Sequence, residues 1–151
     1  MFRSFLAALT SFAAVATSAS ADNHPFPFHI AGLSPVWVQV TDNAKDGCWT
    51  NIGEVKTYAV DQLSLLGVET VDNAKANSVY RIIVNGSRRV DGCYGTITFQ
   101  VNDWVSWHDN RAFVILHTAS WSVAGYDKFN DDALNFTKEY TNEFFGILPK
   151  E

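Results

Sequence analysis

No stretch of this chain is apolar for long enough to cross a bilayer: its one apolar run, Phe5 to Ala16, is broken by Thr10 and Ser11 and stops well short of the ~20 residues a spanning helix needs. Catalytic signatures are missing as well. There is no G-x-S-x-G elbow, no H-E-x-x-H helix and no G-x-x-x-x-G-K-[ST] phosphate loop. Cysteine is scarce, with only Cys48 and Cys93, and these stand too far apart to be the C-x-x-C pair of a redox enzyme. Positive charge is in deficit: 11 Lys plus Arg face 16 Asp plus Glu, a net of −5. That balance excludes the basic patch of a general nucleic-acid or anionic-membrane binder. These absences set an enzyme reading behind a binding one, and no cofactor is implied.

What is present begins with an export signal. Arg3 supplies a positive start, the apolar run follows, and Ala19-Ser20-Ala21 has the small-x-small form of a signal-peptidase site. Residues 1–21 are therefore read as a cleaved signal peptide, which leaves 130 of the 151 residues for one domain with one core. In an exported chain two cysteines imply a Cys48–Cys93 disulfide, worth roughly 4 kcal/mol in the chain-entropy model. Cleavage after Ala21 also makes His24 the third residue of the mature chain. An amino terminus, two amides and an imidazole then form a square-planar nitrogen set that suits Cu(II) or Ni(II).

Periodicity gives the elements. Residues 22–34, with Pro25, Pro27 and Gly32, read as an extended N-terminal arm before a single α/β domain at 35–151. Val36, Val38 and Val40 alternate with Trp37 and Gln39, a strand pattern. Asn51 and Glu54 mark a helix start, Ile52, Val55, Ala59, Leu63 and Leu66 share one helical face, and Gly67 suits its C-cap. Strands follow at Val79 to Val84 and Tyr94 to Trp107, with Asn85 to Arg89 as the loop between them. A turn at His108 to Arg111 leads to a returning strand, Ala112 to Ser122, and a last helix spans roughly Asp132 to Leu148. The fold class is α+β: a two-layer sandwich in β-α-β-β-β-α order, a four-stranded sheet with two helices on one face. This order of elements resembles that of small periplasmic domains in outer-membrane assembly and secretion lipoproteins.

The long hairpin carries the candidate site. If residue 107 faces 112, one face holds Ile97, Phe99, Val101, Val105 and Trp107 and becomes core beneath the helices. The other then collects Tyr94, Gln100, Trp104, Phe113, Ile115, His117 and Trp121. Two helices cover one side of such a sheet, so the aromatic side needs a partner, a ligand or the N-terminal arm as cover. His117 has no Cys or second His at ligand spacing and reads as a hydrogen-bonded sheet residue. Three function classes follow: a periplasmic or secreted, non-enzymatic binding or assembly accessory domain, its partner an unknown envelope protein or a second copy; a small-ligand or glycan module stacking on Trp104 and Trp121 with Gln100 and His117 as polar contacts; and a hydrolase without a recognisable motif.

Overall fold

The computed structural model describes residues 29–72, 75–107, 110–125 and 128–148. The expected signal peptide at 1–21, His24 and most of the expected arm 22–34 lie outside the described residues. After a single helical turn α1 (Ile30–Leu33), the elements are β1 (Val36–Ala44), α2 (Ile52–Leu65), β2 (Ser78–Arg89), β3 (Gly92–Trp107), β4 (Asn110–Gly125) and α3 (Phe129–Phe145). The strands form one sheet in the order β1-β2-β3-β4, with β1 parallel to β2 and the other pairs antiparallel. It is the expected α+β arrangement. One difference comes at its start: Ile30–Leu33 of the expected extended arm is helical, and both end residues are buried.

Each helix forms where an apolar stripe repeats. On α2 the buried residues are Val55, Ala59 and Leu63, and on α3 Ala133, Thr137, Tyr140 and Phe144 continue the stripe. Gly67, at φ +82°, ends α2: its N–H donates to Ser64 O and the Val68 N–H to Leu63 O, the paired bonds of a Schellman cap. Asn51 stands at the N-cap but makes no capping bond; its amide donates instead to Glu54 and to the carbonyl of Asn130. Both helices cover one face of the sheet, over Tyr80, Ile82 and Val84 of β2 and Ile97, Phe99 and Val101 of β3, all fully buried. Tyr80, Phe99 and Tyr140 stack at the centre, the Phe99–Tyr140 centroids 5.0 Å apart. The buried Tyr80 hydroxyl is satisfied by Thr141 Oγ1 at 3.0 Å, and desolvation raises its pKa far above the usual range. Cys48 and Cys93 form the expected disulfide, which pins the approach to α2 onto the start of β3.

Two expectations are corrected. Asn85 to Arg89 is not a loop: β2 continues through Arg89, paired as far as Gly92, and the turn is Val90-Asp91. The glycine that resembles a turn signal, Gly86, faces Gly95 across the ladder, and a side chain on Gly86 would meet the Phe129 ring at 3.1 Å. Gly86 is thus a notch that receives the first residue of α3, while a side chain on Gly95 would run into the backbone of Asn85 and Gly86. The hairpin register also differs. Trp107 pairs with Asn110 rather than with residue 112, and the ladder shifts by one residue between Val101 and Asn102, where Leu116 of β4 is left without an opposite number. A one-residue slip exchanges the faces of a strand, so His117 and Trp121 fall on the other face from the one predicted, while Phe113 and Ile115 keep the predicted grouping with Trp104. Val105, expected in the core, is 39 % exposed.

Candidate functional site: the open face and the hairpin end

Directly opposed residues of antiparallel strands point to the same face. Trp121 faces Ile97 and His117 faces Val101, so both belong to the helix-covered side. Trp121 stacks on Phe136 of α3 at 5.5 Å and meets Phe99 edge-on at 5.4 Å. His117 Nδ1 lies 2.8 Å from the Tyr140 hydroxyl, and its ring stacks on Tyr140 and Phe144. Desolvation lowers the pKa of His117, opposed by Glu143. Trp104 and Phe113 pair with each other on the open side of the sheet, their centroids 4.8 Å apart. The stacking pair Trp104–Trp121 is therefore not assembled, and the predicted residues divide between two faces.

The open face itself has three zones. Across its middle run Gln39, Arg81, Gln100 and Thr118, strand by strand in register, with Arg81 Nε donating to Gln39 at 2.9 Å. This row is polar and suited to water. Toward the β2–β3 turn, Tyr94 donates to Asp91 at 2.7 Å, a bond that raises its pKa, and it borders a shallow dish of about 360 Å³ with Asn43, Lys45, Asn85 and Thr96. At the opposite end, Trp37, Val79, Asn102 and Ile115 form the next in-register row, followed by the Trp104–Phe113 pair.

That last zone is apolar and partly uncovered. Trp104 is 47 %, Phe113 38 % and Ile115 55 % exposed, while Asn102 beside them is only 2 % exposed. The Asn102 Oδ1 atom has no hydrogen-bond partner among the described residues, an arrangement that costs energy unless a donor arrives. Arg111 lies over the Trp104 ring at 5.6 Å. Asp103 accepts the Trp104 N–H, and desolvation raises its pKa against the nearby Arg111. Sequence parity alone missed Trp37, because nothing in the hairpin reports which residues of β1 share its row.

Among the described residues no group of three or more His, Cys, Asp or Glu is placed to hold a metal ion, and no helix is long and apolar enough to cross a membrane. No protein-family model matches the chain, and no curated protein matches it. Solved structures do. The dodecamer of a PelC point variant from Paraburkholderia phytofirmans is similar over 83 % of this chain and 94 % of that one, with 15 % identity and a TM-score of 0.52. A second crystal form of the PelC dodecamer gives 16 % identity over 82 % and 92 % of the two chains, at a TM-score of 0.47. A minor lipoprotein from Acinetobacter baumannii gives 18 % identity over 77 % and 94 %, at 0.38. The likeness to the first of these is one of fold.

Proposed function

We propose that this protein is a non-enzymatic accessory domain of the periplasm or the secreted space that works by associating with a second copy of itself through the apolar end of the open sheet face. The observation that carries the reading is the exposed cluster of Trp104, Phe113 and Ile115, aromatic and aliphatic surface of the kind found at the centre of interfaces. Two further facts support it: a similar fold occurs in a protein crystallised as a dodecamer, and the Cys48–Cys93 disulfide suits an oxidising compartment outside the cytoplasm. Sedimentation velocity of the exported chain at micromolar concentration should show a species heavier than the monomer. Trp104→Ala with Ile115→Ser should shift it to the monomer. A wild-type chain that sediments as a monomer throughout this range overturns the reading.

The dish around Tyr94 favours a second reading, a small-ligand or glycan site, because its volume lies within the ~300–1,000 Å³ of ligand pockets and its lining includes the Ser87, Tyr94 and Thr96 hydroxyls and the Asn43 and Asn85 amides. Titrating oligosaccharides while following the Tyr94 ring resonances tests it, with Tyr94→Ala as the control that should abolish any shift.

A further inference from the structure

We infer that the groove between the outer edge of β1 and helix α2 is the seat for the β3–β4 hairpin end of a second copy, so that association runs head to tail. This rests on the self-association reading above and names the surface on which the apolar end docks.

The groove starts where a fifth strand begins and stops. The Val36 N–H donates to Glu69 O at 2.8 Å and the Val71 N–H to Val36 O at 3.0 Å, which seats Thr70 beside β1 as an isolated parallel bridge. Strand alternation then aims the N–H and C=O groups of Val38 and Val40 at the same edge, and no strand among the described residues continues the pairing. Beyond Thr70 the floor and walls are Trp37, Val38, Val60 and Val71, with Lys56 and Asp72 completing the lining and both exposed. The cavity is about 240 Å³, smaller than the ~300 Å³ lower bound of small-molecule pockets. It has room for one or two large side chains entering from outside.

The hairpin end fits that description. Because β2 begins at Ser78, opposite Asp103, residues 104–107 of β3 project past it with β4 on one side and no described strand on the other. The projection offers a tilted aromatic pair, Trp104 and Phe113, next to an open backbone edge. Arg111 on the projection can meet Asp72 of the groove, and Asp103 at its base, paired with Ser78, can meet Lys56. A symmetric contact of hairpin on hairpin would leave the open edge of β1 unmatched. Knob in groove pairs unlike surfaces, the heterologous arrangement that gives a ring or a filament according to whether its rotation closes.

Lys56→Trp blocks the groove from an exposed position on α2 without touching the core, and Trp104→Ala removes the knob; thermal melts confirm that both variants fold. Each alone should sediment as a monomer, with a dissociation constant raised roughly 30-fold or more, as for an interface hot spot. Mixed one to one they should form a heterodimer, since one copy keeps an intact knob and the other an intact groove. A mixture that stays monomeric would overturn the head-to-tail contact. A Lys56→Trp chain that assembles like wild type overturns the groove as its seat. A Trp104→Ala chain that assembles like wild type removes the function proposed above, and this inference with it.

Discussion

Trp104 and Trp121 sit on the two strands of one hairpin and do different jobs. Trp121 is packed between Phe99, Phe136 and Tyr140, so its truncation removes core contacts. Trp104 touches Phe113 and Arg111 and is 47 % exposed, so its truncation removes mainly surface. Burial fixes the order of cost. Phe99→Ala, at 0 % exposure, should lose roughly 3–5 kcal/mol, Trp121→Ala less than that but well over the ~0.5 kcal/mol of a surface change, and Trp104→Ala about 1 kcal/mol or less. Urea denaturation of the three variants at a concentration where the chain is monomeric checks the ranking. If Trp104→Ala unfolds as readily as Phe99→Ala, the hairpin end is buried by the chain itself, and no surface is left for a second copy.

At the scale of elements, the helices and β1 were legible in the sequence because each carries one unbroken period: Val55, Ala59 and Leu63 on α2, Ala133, Tyr140 and Phe144 on α3, Val36 and Val38 on β1. The hairpins were legible as hairpins but not in their register. Gly86 signals a turn by composition, and only the opposed Gly95 and the Phe129 ring above it reveal a packing notch. In the same way the extra residue Leu116 is invisible to parity counting, yet it decides on which face His117 and Trp121 fall. The disulfide, read from an even cysteine count, links elements that the ladder does not. Intact-mass analysis of exported protein should give a chain starting at Asp22 and two hydrogens lighter than the reduced form. Replacing both Cys48 and Cys93 by Ser should cost roughly 2–5 kcal/mol. Two free thiols in protein from an oxidising compartment would contradict the staple.

Taken as a whole, the molecule is acidic, and this sets how its association responds to salt. The full chain has a net charge of −5, and removal of the expected signal peptide with Arg3 would make it −6. Two such copies with centres about 35 Å apart, as expected from a radius of gyration near 14 Å, repel by roughly 4 kcal/mol in unscreened water. The opposing attractions proposed at the contact, Arg111 with Asp72 and Lys56 with Asp103, are rim pairs worth about 0–1 kcal/mol each. Screening at 0.01 M leaves roughly 1 kcal/mol of that repulsion, which exceeds the pairs where they fall toward the low end of their range. Raising the ionic strength from about 0.01 M to 0.15 M shortens the screening length from about 30 Å to 8 Å, which removes most of the long-range repulsion but leaves the burial of Trp104 and Phe113 untouched. Association should accordingly strengthen with salt over this range, seen as a rising weight-average mass in sedimentation equilibrium. A mass that falls instead would mean that ion pairs rather than apolar burial hold the copies together, and the aromatic hairpin end would no longer account for the assembly.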